Sequence, residues 1–230
     1  MDVFLITGAS RGMGRAMAIK LAAADRELVL HGRDEAALSE VCREVEEKGG
    51  KATSVIADLK SVGGVEKLLG AIAGKPIKVL INNAGITIVK PLEQVTLADW
   101  EETFAVNVTA PFLLTQRLLP LMPPGGAIVN ILSIAARQGF PQWSSYCMSK
   151  FALEGFSQSI REELRSRSIR VINVYPSATQ TALWDTVPGE WPKDKMLPAE
   201  EVAEAVDFAL SRPPSVLVEN INIGNISGTL

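Results

Sequence analysis

Two cysteines and one histidine in 230 residues leave little for disulfide or metal chemistry. Cys42 and Cys147 both fall in stretches that read as helix and show neither disulfide nor metal-ligand spacing, so no metal site is expected and a reducing compartment is. His31 stands alone at the end of a short apolar run and reads as structural. The net charge of −3 and pI near 5.4 leave no basic footprint for nucleic acid and no cationic face for anionic membranes. No uninterrupted apolar run approaches the ~18 residues of a membrane span. Met1 leads straight into an apolar run without a charged leader or a small-residue cleavage site, so a secretory signal is not expected and a cytoplasmic location is. Internal repeats, low-complexity tracts and linkers are also missing, which favours a single domain over residues 1–230.

What is present is enough apolar material, 47% of residues, for one sizeable core, arranged as short apolar runs alternating with helical stretches. Strands are expected at Val3–Ile6, Leu28–Leu30, Ala52–Ala57, Lys78–Ile81, Gly126–Leu132, Ile169–Tyr175 and Val216–Ile223. Helices are expected after Gly14 and at Glu35–Lys48, Gly63–Ala73, Thr96–Leu121, Trp143–Ser166 and Glu200–Leu210. Pro111 should kink or break the Thr96–Leu121 stretch at about Thr109. Such alternation predicts an α/β, doubly wound parallel sheet with helices on both faces and a ligand crevice beyond the carboxyl ends of the strands. Thr7-Gly8-Ala9-Ser10-Arg11-Gly12-Met13-Gly14, between the first strand and its helix, fits a Rossmann-type fold. Glycines permit positive φ and let backbone approach a pyrophosphate, and the helix N-terminus offers free N–H groups.

Chemistry concentrates between Ser133 and Lys150. Ser133 follows the apolar run AIVNIL, so its hydroxyl should stand at a strand's carboxyl end. Tyr146 and Lys150, four apart on a helix, share one face with Cβ atoms roughly 5–6 Å apart. Tyrosine's ordinary pKa of about 10 must fall by about three units, or about 4 kcal/mol, to reach the working range of a proton-transfer group. One cation at ~4 Å in an effective dielectric of ~20 supplies about that much before desolvation is subtracted. The expectation is therefore that Lys150 lowers the pKa of Tyr146. Taken alone, a Tyr-x-x-x-Lys pair is a half-buried aromatic beside a solvated lysine.

The turn TGASRGMG, Asn82-Asn83-Ala84-Gly85, and Ser133 thirteen residues before Tyr146 together resemble the short-chain dehydrogenase/reductase family, from Val3 to about Thr181. The resemblance implies an NADP(H)-dependent enzyme that reversibly reduces a ketone or aldehyde to an alcohol. Ser133, Tyr146 and Lys150 would be its catalytic residues, with Asn107 supporting Lys150 through water. It implies cofactor contacts from Gly8, Ser10, Arg11, Gly12, Met13 and Gly14, from Arg33, Asp58 and Leu59, and from Asn83, Ala84 and Gly85. Pro176, Thr179 and Thr181, with Tyr146 and Lys150 again, complete that set. Where NAD-selective relatives carry an acid, this chain has Gly32 followed by Arg33, and a guanidinium pairs well with a 2′-phosphate, so NADP(H) is expected over NAD(H). Asp34 reads more simply as a helix N-cap, and Asp58 has an N-cap reading beside its adenine contact. Ser177 stands where the family usually has glycine, which bears on nicotinamide placement.

The apolar stretch 182–198, with Trp184, Pro188, Gly189, Trp191 and Pro192, reads as a substrate lid or as a loop packed on its own domain or on a partner subunit. Ile86, Ile134, Phe140, Trp143, Leu183 and Trp184 suggest a mainly apolar pocket for a small carbonyl or alcohol substrate, and Arg137 reads as a surface residue, with an anchor for an anionic substrate as the alternative. Relatives of the family are often homodimers or homotetramers. A non-catalytic NADP(H) sensor or scaffold of the same fold is the alternative. A nucleotide-sugar epimerase or dehydratase fits poorly, because only about fifty residues follow Thr181.

Overall fold

The computed structural model describes residues 1–72 and 74–228. Seven parallel strands form one sheet, β1 (Asp2–Ile6), β2 (Arg26–Gly32), β3 (Lys51–Ile56), β4 (Ile77–Asn82), β5 (Ala127–Ile131), β6 (Arg170–Pro176) and β7 (Asn220–Ile223), in the order β3-β2-β1-β4-β5-β6-β7. Helices α1 (Gly12–Lys20), α2 (Glu35–Glu47) and α7 (Ala199–Leu210) pack on one face; α3 (Val62–Ile72), α5 (Ala110–Leu118) and α6 (Ser144–Leu164) pack on the other. Helix α4 (Leu97–Phe104) runs into α5. The doubly wound parallel sheet expected from the sequence is the fold. Side chains alternate across β1, with Phe4 and Ile6 in the core beneath α1, α2 and α7 and with Val3 and Leu5 in the opposite core. Leu5 and Ile6 are fully buried, each stabilising the fold by about 1.5–3 kcal/mol.

Strand order reverses between β1 and β4, and the crevice at that point is where the functional loops gather. Asp34 caps α2 as expected, its Oδ1 accepting from Ala37 N at 3.0 Å. The N-cap reading of Asp58 fails, because Ser61 Oγ accepts from Gly64 N at 3.1 Å while Asp58 Oδ1 accepts from Lys60 N in a local turn. The expected break before Pro111 is a π-turn over Ala105–Thr109, with Ala110 N–H donating to Ala105 O. Proline has no N–H for the carbonyl of Asn107, and the chain widens by one residue to go past it.

Two expected boundaries move. Helix α3 runs Val62–Ile72, and Ala73, the end of the expected span, lies outside the described residues. The last strand starts at Asn220 rather than Val216, because β6 offers pairing only from Asn173↔Asn220 to Pro176↔Ile223; Leu217 and Val218 pack on the core without joining the ladder. Between β6 and α7 the chain makes two short 3₁₀ turns, Ala182–Thr186 and Lys193–Lys195. A parallel bridge Thr179↔Leu197 ties the base of this loop, with Leu197 N donating to Ala178 O and Gln180 N to Leu197 O, both at 2.8 Å.

Candidate active site

The glycine turn is held from both neighbouring strands. Gly8 has φ +67°, and a Cβ there would stand 2.9 Å from Ala84 Cα. Gly14 is more constrained, since a Cβ would lie 2.1 Å from Gly8 O, so α1 starts closer to the turn than any side chain allows. Asn83 Nδ2 donates to Thr7 O at 2.8 Å and Gly8 O at 3.1 Å, while Thr7 Oγ1 accepts from both Asn83 N and Ala84 N at 3.0 Å. His31 holds the other side, as a structural residue. Its Nδ1 accepts from Gly8 N at 3.3 Å and its Nε2 lies 3.2 Å from Ala57 O, a pair that requires the Nε2–H tautomer. Burial brings its pKa down to about 4. No side chain caps α1 and no acid occupies its first turn, which leaves its positive end open to an anion.

On the other side of the crevice, Asn107 sits in the π-turn and its amide is fully used. Its Oδ1 accepts from Ile86 N at 2.9 Å, and its Nδ2 donates to Ile86 O at 2.9 Å and Ser149 Oγ at 3.0 Å. Asn82 and Asn130 link β4 and β5 through a 2.8 Å hydrogen bond, and Asn130 Nδ2 donates to Ser157 Oγ on α6 at 2.9 Å. The buried small residues Ser145, Ser149 and Ser157 let α6 pack closely on its neighbours, Ser149 against Asn107 of the π-turn and Ser157 against Asn130 of β5.

That closeness places Ser133, Tyr146 and Lys150. Ser133 follows β5, and its Oγ accepts from Ala135 N at 3.1 Å, so its own proton is free to be donated into the crevice. Lys150 is 5% exposed, and its Nζ donates to Ile131 O at 2.8 Å. The ammonium approaches the Tyr146 ring, 5.6 Å from its centroid. The expected lowering of the Tyr146 pKa is not found. Burial pushes the phenol up to about 12, partly offset by the Ser133 hydroxyl, and burial lowers Lys150 to about 8. Desolvation wins because the flexible lysine stem carries the charge under the ring to a strand carbonyl rather than to the phenol oxygen.

Two cavities adjoin at Met13, Thr181 and Leu183. The larger, about 480 Å³, is lined by Gly8, Ser10, Arg11, Gly12, Arg33, Leu59, Asn83, Ala84 and Gly85 among others. The smaller, about 290 Å³, is lined by Ser133, Tyr146, Pro176, Ser177, Thr179, Ile134, Phe140 and three tryptophans. Ile86 faces the larger cavity rather than the apolar one. Lys150 and Asn107 lie behind the wall, since a Cβ at Gly85 would be 3.8 Å from Lys150 Nζ and 3.4 Å from Asn107 Oδ1. Gly14 and Asp58 are not on either wall; Asp58 is exposed. Arg137 is exposed as expected, stacked 3.8 Å from the Tyr175 ring centroid. Ser177 turns its side chain toward the tail, where a Cβ at Gly224 would stand 3.0 Å from Ser177 Oγ; that hydroxyl is buried without a partner. Sequence reasoning did not single out Thr7 or Glu102, the latter on the larger cavity and bound to Lys60 at 2.5 Å. The strand-end position of Thr7, before Gly8, was the available signal for the first.

A doubly wound parallel sheet with adjoining cavities at the carboxyl ends of its strands defines a Rossmann-type α/β protein. The short chain dehydrogenase family model matches residues 2–190, and the chain belongs to the short-chain dehydrogenase family of oxidoreductases. It is 34% identical to a sepiapterin reductase of Chlorobaculum tepidum, over 99% of this chain and 98% of that one. Identity to a 3-oxoacyl-[acyl-carrier-protein] reductase of Synechocystis sp. is 33%, over 94% of this chain and 92% of the other. Among solved structures, an angucycline C-6 ketoreductase with bound NADP superposes with a TM-score of 0.86 at 33% identity, covering 96% of this chain and 93% of that one.

Proposed function

We propose that the chain is an NADP(H)-dependent reductase that reversibly converts a ketone or aldehyde to an alcohol. The observation that carries this reading is the meeting of the two cavities, with a hydroxyl and a phenol on the apolar side and a glycine turn with two guanidinium groups on the other. The wall of the larger cavity fits a dinucleotide phosphate. Arg11 and Arg33 line it beside the open N-terminus of α1. A side chain at position 32 would be tight, since a Cβ there would lie 3.1 Å from Leu38 Cδ1 and 3.3 Å from Ser10 Cβ, so an acid there would have to displace Leu38 by a few tenths of an ångström. Relatives of known structure that carry NADP or NADPH support the same cofactor.

When bound, the reduced nicotinamide supplies a hydride, and with it both electrons, to the carbonyl carbon. Ser133 donates a hydrogen bond to the carbonyl oxygen as negative charge develops there. Tyr146, pushed up to about 12, is fully protonated at neutral pH and gives its proton to that oxygen, leaving phenolate; solvent restores the proton. Lys150, its Nζ 5.6 Å from the Tyr146 ring centroid, is a buried cation beside the phenolate, and Asn107 fixes the Ile86 backbone and Ser149 around it. The segment 182–198 acts as the substrate lid, a reading supported by Trp184 and Trp191 on the smaller cavity. Self-association through α4, α5 and α6 belongs to this reading, supported by the exposed Trp100, Phe112, Met148 and Phe151. So does a cytoplasmic location, supported by the free cysteines; no helix among the described residues is long and apolar enough to cross a membrane.

Tyr146→Phe tests the mechanism. Ketone-dependent NADPH consumption should fall by about 10²–10⁴-fold while NADPH binding persists. Turnover near that of the wild type removes Tyr146 from the chemistry.

A further inference from the structure

Three of the four tryptophans, Trp143, Trp184 and Trp191, line the smaller cavity. Ring centroids of Trp191 and Trp184 are 4.8 Å apart, those of Trp184 and Trp143 are 5.9 Å apart, and Trp143 lies 5.6 Å from Tyr146. A run of aromatic rings therefore leads from the loop to the phenol. The indole N–H of Trp184 donates to Thr179 O at 2.9 Å and that of Trp191 to Pro188 O at 3.2 Å. With their polar edges engaged inside the chain, these two side chains offer the cavity π-surface alone. No Asp, Glu, Lys, Arg or His among the described residues lines it. An ionised substrate group held against this lining would find no counter-charge on it. The volume of about 290 Å³ stands at the lower end of small-molecule sites, which run from about 300 to 1,000 Å³.

We propose that the smaller cavity takes a neutral aryl ketone of about bicyclic size, its rings against Trp184 and Trp191 and its carbonyl oxygen toward Ser133 and Tyr146. This rests on the reductase reading and adds the substrate class. A saturated ring system of the same size buries similar apolar area but lacks the offset-stacked and edge-to-face contacts that aromatic pairs make. The expected discrimination in kcat/KM is about tenfold, which corresponds to about 1.4 kcal/mol.

The test compares α-tetralone, trans-decalone and a carboxylated tetralone, by NADPH consumption with the intact chain and by change in its intrinsic tryptophan fluorescence. Tetralone should exceed decalone by about tenfold and exceed the carboxylate by at least as much. The ratio of tetralone to decalone should fall toward one when Trp184→Leu and Trp191→Leu are combined. The wild-type ratios decide the matter even where that double variant does not fold. Equal kcat/KM for tetralone and decalone, or a preference for the carboxylate, overturns the substrate class and leaves the reductase reading standing. Saturable fluorescence change with tetralone but no NADPH consumption upholds the class and overturns the reductase reading.

Discussion

Replacing Lys150 by methionine should make the protein more stable and almost inactive. The ammonium is buried, and burial alone lowers its pKa from 10.5 to about 8. That difference corresponds to about 3 kcal/mol of destabilisation of the charged form relative to water. Because the folded-state pKa lies below the unfolded one, the unfolded chain binds the extra proton between about pH 8 and 10.5. The penalty is therefore complete below about pH 8 and relieved as pH rises through that window. Lys150→Met keeps the length of the side chain and removes the charge. It also removes the 2.8 Å bond to Ile131 O, and a charged hydrogen bond of this kind is worth about 1.5–3 kcal/mol. The net gain at neutral pH is about 1 kcal/mol, or about 2–4 °C in Tm for a chain of this size. At about pH 10 the gain should vanish or change sign. Turnover should fall by roughly a hundredfold or more, because phenolate loses its nearby cation. Thermal melts of both proteins at the two pH values, with ketone-dependent NADPH consumption at neutral pH, make the comparison. A Lys150→Met variant that melts below the wild type by the same margin at both pH values would falsify the claim that Lys150 is held charged at a cost to stability.

Other outcomes follow from the same geometry. His31 is held neutral with a pKa of about 4, below its ordinary 6.5, so the stability it supports is complete above about pH 6.5 and is lost as pH falls toward 4. Over that window His31→Leu should lose less Tm on acidification than the wild type, and parallel acid limbs would refute the assignment. Arg33→Ala should move the ratio of kcat/KM for NADPH over NADH toward NADH by about tenfold or more, and a ratio that stays put removes Arg33 from cofactor selection. Gly224→Val presses on Ser177, which lines the smaller cavity, so it should raise KM for the ketone, and adding Ser177→Gly should restore it. Failure of that rescue, with each single variant folded, refutes the coupling.

The sequence displayed the middle of its sheet because β1, β2, β4, β5 and β6 carry buried apolar runs, whereas β3 and β7 at the edges are mostly exposed or half-buried; β1 shows how closely the two agree, Val3–Ile6 by composition against Asp2–Ile6 in the fold. Pairing partners are less visible. Val216 to Val218 is as apolar as a strand, but nothing in those residues says that β6 stops offering hydrogen bonds below Asn173. Pro111 announced an interruption, yet the one-residue widening depends on which carbonyl the next free N–H reaches. At the site, spacing brought Tyr146 and Lys150 to one helix face, and burial of both side chains then decided which way each pKa moved. Gly224 could not be linked to Ser177 from sequence, since forty-odd residues separate them and only the β6–β7 pairing brings them together.

The bridge between Thr179 and Leu197 gives the segment it closes a degree of independence. Its two ends are fastened to each other by backbone bonds, which any side chain permits, so the entropy of closing the loop is met by the frame and not by what the loop contains. The exposed residues between those ends can be exchanged without the sheet registering the change, while Thr181 on the larger cavity and the buried Val187 and Met196 keep the loop seated. On the reductase reading proposed above, rewriting that exposed part of the loop changes which compound is admitted while Ser133, Tyr146 and Lys150, on other elements, stay as they are.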